Sequence, residues 1–365
     1  LEKIVKNKFE DNERPSSQEI LTLASYKELN QYEWCHSLPV TDEIQEVFTR
    51  QVDELQKEKD LKSQITVLEE ITDNVSLKVR EQYEENPYPR WVNSQLRLQP
   101  ASISKLVDEI SLKIYDKRII SVEAPNILIA GCGTGQHSIS SAARFKSSKV
   151  VAIDLSLSSL AYAQRKTKKL GIENIEYMQA DILNAEKLNK QFDIIESAGV
   201  LHHMDNPMAG WKVLVDCLKP GGLMRIGLYS ELARHHIVKI REEIKQRGLG
   251  SSDAEMKNFR DTIIGSGEEH HRMILNSRDF YSLSELRDLL FHEQEHRFTI
   301  PGIKDHLEVL GLKFCGFGSI KIVSHFKLTN THKDDPYSLD KWHLYEEANP
   351  SAFAGMYQFW CQKVG

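Results

Sequence analysis

Ile127-Leu-Ile-Ala-Gly-Cys-Gly-Thr-Gly135 is answered, nineteen positions later, by the acid of Val150-Val-Ala-Ile-Asp154. An apolar run stops in three alternating glycines, and a second apolar run stops in a carboxylate. The layout is that of a strand, a tight turn, a helix opened by Gln136-His-Ser-Ile-Ser140, and a second strand whose tip meets ribose hydroxyls. Glycine reaches backbone angles closed to other residues and lets a ligand approach the main chain. The spacing is G-x-G-x-G. A dinucleotide fold wants a third glycine one residue later, for helix packing beside a pyrophosphate, and Gln136 stands there instead. The glycines alone would equally suit a plain turn. The distance to Asp154, close to the roughly 20 residues expected of a ribose-binding acid, favours a nucleoside-containing cofactor.

Three later segments fit the same sheet. Ile175-Glu-Tyr-Met-Gln-Ala-Asp181-Ile182 reads as a third strand, and Phe192-Asp-Ile-Ile-Glu-Ser197 as a fourth, followed by Ala198-Gly-Val-Leu-His-His203. Leu218-Lys-Pro-Gly-Gly222 reads as a helix end and turn feeding a fifth strand, Leu223-Met-Arg-Ile-Gly-Leu228. Helix-length patterns such as Ser158 to Leu170 and Met208 to Leu218 lie between them. Strands alternating with helices predict a parallel, doubly wound sheet, with the ligand beyond the carboxyl ends of its strands.

Gly131-Cys-Gly-Thr-Gly135, Asp154, Asp181-Ile182, the Asp193 strand with Leu201-His-His203, and Leu218-Lys-Pro-Gly-Gly222 resemble, in this order, the motifs of class I S-adenosylmethionine (SAM) methyltransferases. The resemblance covers about Val122 to Leu228. It implies an α/β, Rossmann-like, doubly wound seven-stranded sheet with SAM as cofactor. By that resemblance Gly131, Cys132, Gly133 and Gly135 face the methionine part of SAM, and Asp154, followed by Leu155, takes the ribose hydroxyls. Asp181 and Ile182 flank the adenine, while Ser197 and Ala198 sit near the sulfonium. The absent glycine at Gln136 then has a reason, since SAM has no pyrophosphate.

Composition bounds the rest. The chain has 365 residues and a formal net charge of −6, enough for two or three domains. No long basic run occurs beyond clusters such as Arg165-Lys-Thr-Lys-Lys169, so extended contact with nucleic acid is disfavoured. Cys35, Cys132, Cys217, Cys315 and Cys361 form no C-x-x-C, which suits reduced thiols and a cytoplasmic protein. For Cys132 a small loop residue, rather than a nucleophile, is the default reading. No apolar stretch suffices to span a membrane. The start at Leu1, in sequence of helical character, is expected of a piece of a longer protein.

Four regions follow: an N-terminal helical cap or dimerisation region (1–78), the SAM-binding domain (79–230), a helical insert forming a substrate or lid region (231–305), and a C-terminal segment completing the sheet (306–365). In the first, Glu43-Ile-Gln-Glu-Val-Phe48 and Val52-Asp-Glu-Leu55 have helical apolar spacing that Leu61 to Ile71 continues; a homodimer surface is one reading of it. Val79-Arg-Glu-Gln-Tyr-Glu-Glu-Asn-Pro-Tyr-Pro-Arg-Trp91 is stiffened by two prolines, which end the preceding helix. Tyr83, Tyr88 and Trp91 project from it as a cage for a cation or as a packed hinge. The insert holds His235, His236, His270, His271, His292 and His296. His292-Glu-Gln-Glu-His296 matches H-E-x-x-H literally, with His306 and Glu308 as third-ligand candidates. That pattern needs a helix placing both imidazoles on one face, and no full downstream motif follows, so no metal is expected. Leu310-Gly-Leu-Lys-Phe-Cys-Gly-Phe317 and Met356-Tyr-Gln-Phe-Trp-Cys361 read as the last two strands, one of them antiparallel, with a helix from Leu339 to Ala348 between them.

Tyr83-Glu-Glu-Asn-Pro-Tyr-Pro-Arg-Trp91, Phe291 to Pro301 and Gly355-Met-Tyr-Gln-Phe-Trp360 are similar to a bacterial methyltransferase group related to the rickettsial lysine methyltransferases of outer-membrane proteins. Many members of that group carry tetratricopeptide repeats ahead of the domain. The resemblance implies a protein substrate methylated on lysine amines. Tyr83, Tyr88, Trp91 and His202 are the candidates for the acceptor channel, with Tyr83, Trp91 and His202 as the catalytic set, and Glu196 or Asp205 as an acid orienting the amine. A small-molecule or RNA methyltransferase, a non-catalytic SAM-binding scaffold and a zinc hydrolase are the alternatives.

Overall fold

The structure is a computed structural model describing residues 1–94, 96 and 99–364. The chain divides into two compact units, Leu1–Ile65 and Thr66–Gly365.

The first unit holds α1 (Glu2–Glu10), α2 (Ser17–Tyr26), α3 (Gln45–Phe48) and α4 (Glu54–Lys62), the last two joined by a π-helical turn over Thr49–Asp53. Ser16 and Glu19 form a reciprocal capping box that starts α2. Val5, Ile20, Leu23, Leu29, Tyr32 and Val52 are among its buried core residues. The helical pattern read through Leu61 to Ile71 stops at Lys62. Beyond it the β-branched pair Thr66–Val67 forms β1 and pairs in parallel with Met178 and Gln179. The division therefore falls at Ile65, ahead of the boundary at 78 expected from sequence.

The second unit is built on a sheet of β1, β2 (Asn126–Ala130), β3 (Lys149–Asp154), β4 (Ile175–Gln179), β5 (Phe192–Ala198), β6 (Leu218–Leu228), β7 (Leu312–Phe317) and β8 (Tyr357–Lys363). Their spatial order is β1-β4-β3-β2-β5-β6-β8-β7. Seven strands were expected; among the described residues the short edge strand β1 is an eighth. β8 runs antiparallel to both β6 and β7, and the other pairings are parallel. Its helices are α5 (Asn74–Glu85), α6 (Ile103–Glu109), α7 (Gln136–Arg144), α8 (Leu157–Lys169), α9 (Pro207–Cys217), α10 (His235–Gln246), α11 (Asp253–Ile264), α12 (Glu269–Ile274), α13 (Leu283–Leu290), α14 (Ile300–Val309), α15 (Ile320–Phe326) and α16 (Leu339–Ala348).

The central strands are near-continuous apolar runs because helices cover both faces of a parallel sheet. Trp211 and Leu214 of α9, Ile303 and Leu307 of α14 and Trp342 of α16 pack with the side chains of β5, β6 and β8 in one core. α10 to α13 have a core of their own around Ile240, Met256, Phe259 and Leu286. The segment read as a turn at Leu218–Gly222 lies inside β6: Phe192 pairs with Leu218, and the next pairing is Ile194 with Leu223. Asp193 sits in that irregularity and fastens it, accepting from Lys219 Nζ at 2.8 Å and from the Asn126 amide at 2.9 Å.

Candidate active site

Strand order reverses between β2 and β5, and a cavity of about 860 Å³ opens there, beyond the carboxyl ends of the strands. The glycine turn forms one wall, and the three glycines do different work. Gly131 (φ +75°) leaves no room for a side chain, since a Cβ would lie 2.3 Å from a Val200 methyl. Gly133 (φ +50°) lines the cavity, and its amide donates to Asp154 Oδ2 at 2.7 Å. Gly135 (φ +84°) is outside the wall: it is the N-cap of α7, and a Cβ there would lie 2.5 Å from that of Ala163 on α8. The close helix packing that a dinucleotide fold assigns to a later glycine is performed here by Gly135.

Asp154 also accepts from the Ser156 amide at 3.0 Å. Burial raises its carboxyl above the usual range, opposed by these two amides. Asp181 lies two residues beyond the neighbouring strand β4 and accepts from the Leu183 amide at 2.9 Å. Gly131, Cys132, Gly133, Asp154, Leu155, Asp181, Ile182 and Ala198 all line the cavity. Ser197 does not: successive strand residues face opposite sides, and its buried hydroxyl has no hydrogen-bond partner among the described residues. Cys132 is buried and its thiol is pushed well above its ordinary value, mainly by burial, which suits a wall residue and not a nucleophile.

The segment from Tyr83 to Trp91 crosses the glycine turn. Thr134 Oγ1 donates to the Pro89 carbonyl at 2.5 Å, and Trp91 Nε1 donates to the Thr134 carbonyl at 3.1 Å. Glu84 accepts from the Leu157 amide at 2.5 Å, placing a carboxylate at the N-terminus of α8. Tyr83 and Tyr88 face the cavity, whereas Trp91 lies outside it, packed against Ile139 and Tyr162. Trp91 is thus a structural anchor in this arrangement. Its ring fills the gap between α7 and α8.

The opposite wall comes from the end of β6 and from the insert. Tyr229, Arg234, His236, Asp279 and Asp288 reach it. Tyr83 donates its hydroxyl to Asp288 Oδ1 at 2.6 Å. Burial raises the Asp288 carboxyl, with His203, the Tyr83 bond and Arg234 opposing. Burial likewise pushes the hydroxyls of Tyr83, Tyr88 and Tyr229 above the ordinary tyrosine range, so these rings are neutral. Arg234 is held in a bidentate pair with Glu295, at 3.2 and 2.8 Å, and lies 3.7 Å over the Tyr229 ring.

His202, expected in the acceptor channel, is fully buried outside the cavity, stacked 3.8 Å from Tyr229. Neither ring nitrogen has a partner among the described residues, and burial holds its pKa well below the ordinary value. The adjacent His203 lines the cavity instead. Both belong to one short 3-10 turn, Leu201–His203, which sends neighbouring side chains in different directions. Glu196 is no amine-orienting acid. It is buried between His137 Nε2 at 2.6 Å, Ser141 Oγ at 2.9 Å and Arg225 Nη1 at 3.1 Å. Burial would raise its carboxyl, but His137, Arg144 and Arg225 outweigh that and hold it well below the usual range. Asp205 is exposed and off the cavity.

His292-Glu-Gln-Glu-His296 is not helical, because α13 ends at Leu290 and Pro301 opens α14 instead of closing the region. His306 packs against Trp211 and Phe298. Sequence reasoning missed Asp288, His203 and Tyr229. Nothing in Arg287-Asp-Leu-Leu290 sets Asp288 apart from a solvated helical acid.

A family model described as a methyltransferase domain matches residues 127–222. An uncharacterised protein of Synechococcus is 30% identical over 241 residues, which span 60% of this chain and 56% of that protein. Phosphoethanolamine N-methyltransferase 1 of Arabidopsis thaliana is 30% identical over 192 residues, 50% of this chain and 38% of that protein. The chain spans about half the length of the curated relatives it matches, or less. With the glycine turn, the two strand-end acids and the sheet order, these findings define a class I SAM-dependent methyltransferase domain whose cofactor is SAM. Among solved structures it is similar to PKMT2 from Rickettsia typhi, with a TM-score of 0.53 and 16% identity over 72% of this chain and 52% of that one. PKMT2 in complex with AdoHcy gives a TM-score of 0.51 at 17% identity, covering 77% of this chain and 53% of that one. At such identity the likeness concerns the fold.

Proposed function

We propose that the enzyme methylates an amine, and that the amine is a lysine side chain of a protein. The observation that carries this reading is the buried Asp288 carboxylate, bound by Tyr83, on a cavity wall that also bears Tyr88 and Tyr229. An ammonium gains from the carboxylate and from each ring face, the latter by roughly 0.5–2 kcal/mol. Arg234 is neutralised by Glu295 and adds little opposing charge. The sequence resemblance to lysine methyltransferases supports the protein acceptor.

The cofactor residues fit SAM. Asp154 takes the ribose hydroxyls, and Asp181 with Ile182 borders the adenine. The bare Cα of Gly133 admits the methionine portion against the main chain. When bound, SAM supplies a methyl group on a positively charged sulfur. The protein holds the acceptor nitrogen in line with that methyl, and such positioning is worth about 7–11 kcal/mol of barrier. A free lysine amine with pKa near 10.4 needs roughly 4 kcal/mol to lose its proton at pH 7.4; desolvation in the enclosed site lowers that cost, and the Asp288 carboxylate and the ring faces oppose it.

The test is to incubate bacterial surface proteins with the enzyme and methyl-labelled SAM, then hydrolyse them and identify the labelled amino acid by mass spectrometry. Methyl-lysine is the expected product. Label on arginine, on carboxylates or only on free small amines overturns the protein-lysine assignment.

A further inference from the structure

His203, Asp288 and His292 are all buried, and their ligand-type atoms lie within 4.8 Å of one another. Two imidazoles and a carboxylate are also a metal-binding set. The hydrogen bonds argue against that use. His203 Nδ1 lies 2.7 Å from the Gln294 carbonyl oxygen, which only accepts, so Nδ1 carries the hydrogen and Nε2 carries a lone pair. His292 Nδ1 accepts from the Gln294 amide at 3.2 Å, so its hydrogen is on Nε2, where a metal would need a lone pair. The two rings are stacked 3.6 Å apart at 22°, so their in-plane lone pairs do not converge on one point. What the cluster presents is one basic nitrogen, that of His203, beside the carboxylate that binds Tyr83.

We propose that His203 is the catalytic base that removes the proton from the acceptor ammonium while Asp288 holds that ammonium in place. The inference rests on the amine reading above and deepens it. One N–H bond of the ammonium breaks, and its proton joins the Nε2 lone pair of His203. The freed amine lone pair forms the new N–C bond as the methyl–sulfur bond breaks, and that bond's electron pair stays on sulfur. The imidazolium left on His203 is stabilised by Asp288 until it releases the proton to water. The charged and titratable groups facing His203 are Asp288 from α13, the Arg234–Glu295 pair, and the rings of His202, His292 and Tyr229. Burial is the largest influence and lowers its pKa below the ordinary value, with Asp288 and Glu295 opposing, so the resting imidazole is neutral and ready to accept.

Two measurements test this. Nitrogen-15 NMR of histidine-labelled enzyme saturated with S-adenosylhomocysteine should show His203 as the Nδ1–H tautomer at pH 7. Its signal should shift when methylammonium is added, and the shift should be lost in Asp288→Asn. An Nε2–H tautomer, indifference to methylammonium, or stoichiometric metal in the purified enzyme overturns the proposal. In the second, His203→Gln should lower kcat on poly-L-lysine about 100-fold at pH 7, with KM and S-adenosylhomocysteine affinity near wild type. The loss should shrink steadily as pH rises toward the pKa of the free amine. A loss independent of pH, or one tracking cofactor affinity, marks a structural residue and overturns the base. If wild-type enzyme leaves poly-L-lysine unmodified, the amine-acceptor reading is what fails, and the NMR result still decides the state of His203.

Discussion

Gly133 and Gly135 have the same residue type and opposite duties, and substitution separates them. Alanine at 135 takes on a left-handed backbone angle and puts a methyl 2.5 Å from Ala163. Strain and overpacking together should cost about 3 kcal/mol, read as a lower melting temperature with the residual folded protein still binding SAM. Alanine at 133 meets the Tyr88 carbonyl oxygen at 3.2 Å and faces the cavity. It should weaken SAM binding, measured calorimetrically, more than it lowers the melting temperature. Equal effects of the two variants on binding would remove the distinction. The G-x-G-x-G spacing and Asp154 were readable because a turn of this kind restricts residue type locally. The choice between His202 and His203 was not readable. Both stand in the same three-residue turn, and the packing of Tyr229 and the insert decides which ring meets the cavity.

At the scale of elements, the strap from Tyr83 to Trp91 joins α5 to the glycine turn. Sequence offered cage and hinge as alternatives, and the structure divides them: Tyr83 and Tyr88 line the cavity, and Trp91 anchors the segment. Trp91→Ala removes a buried indole and its bond to the Thr134 carbonyl, a loss of about 3 kcal/mol or more in stability. If the strap must be ordered to close over the cofactor, affinity for S-adenosylhomocysteine should also fall, by roughly tenfold when only a tenth of the molecules hold the closed arrangement. Lower stability with unchanged affinity would leave Trp91 a packing residue alone. The histidine pattern at 292–296 shows why a motif needs its element. H-E-x-x-H brings two imidazoles together only on a helix, and α13 ends at Leu290, before the pattern begins.

The whole molecule buries several histidines in neutral form, and this sets its response to acid. His202, His203 and His292 are held below their ordinary pKa, chiefly by burial, and His236 is brought down to about 4. A folded pKa below the unfolded value of about 6.5 gives stability that is present above pH 6.5 and lost as pH falls, at about 1.4 kcal/mol per unit of depression. Asp154, Asp288 and Glu346 have the opposite sign, because their raised folded values relieve strain on acidification. Comparing wild type with His202→Leu cancels those shared carboxylates. Thermal melts from pH 7.5 to 5 should fall more steeply for wild type, and parallel curves would refute a neutral buried His202. By itself, the sequence determined the class of fold and the cofactor: strand–turn–helix periodicity, the glycine turn and the strand-end acids are local demands of backbone geometry, visible along the chain. Only the tertiary structure decided the cavity wall opposite the glycine turn. Tyr83, His203, Tyr229 and Asp288 come from segments far apart in sequence, and each is an ordinary residue in its own neighbourhood. What joins them is the packing of α10 to α13 over the open end of the sheet, a burial effect that no local pattern encodes.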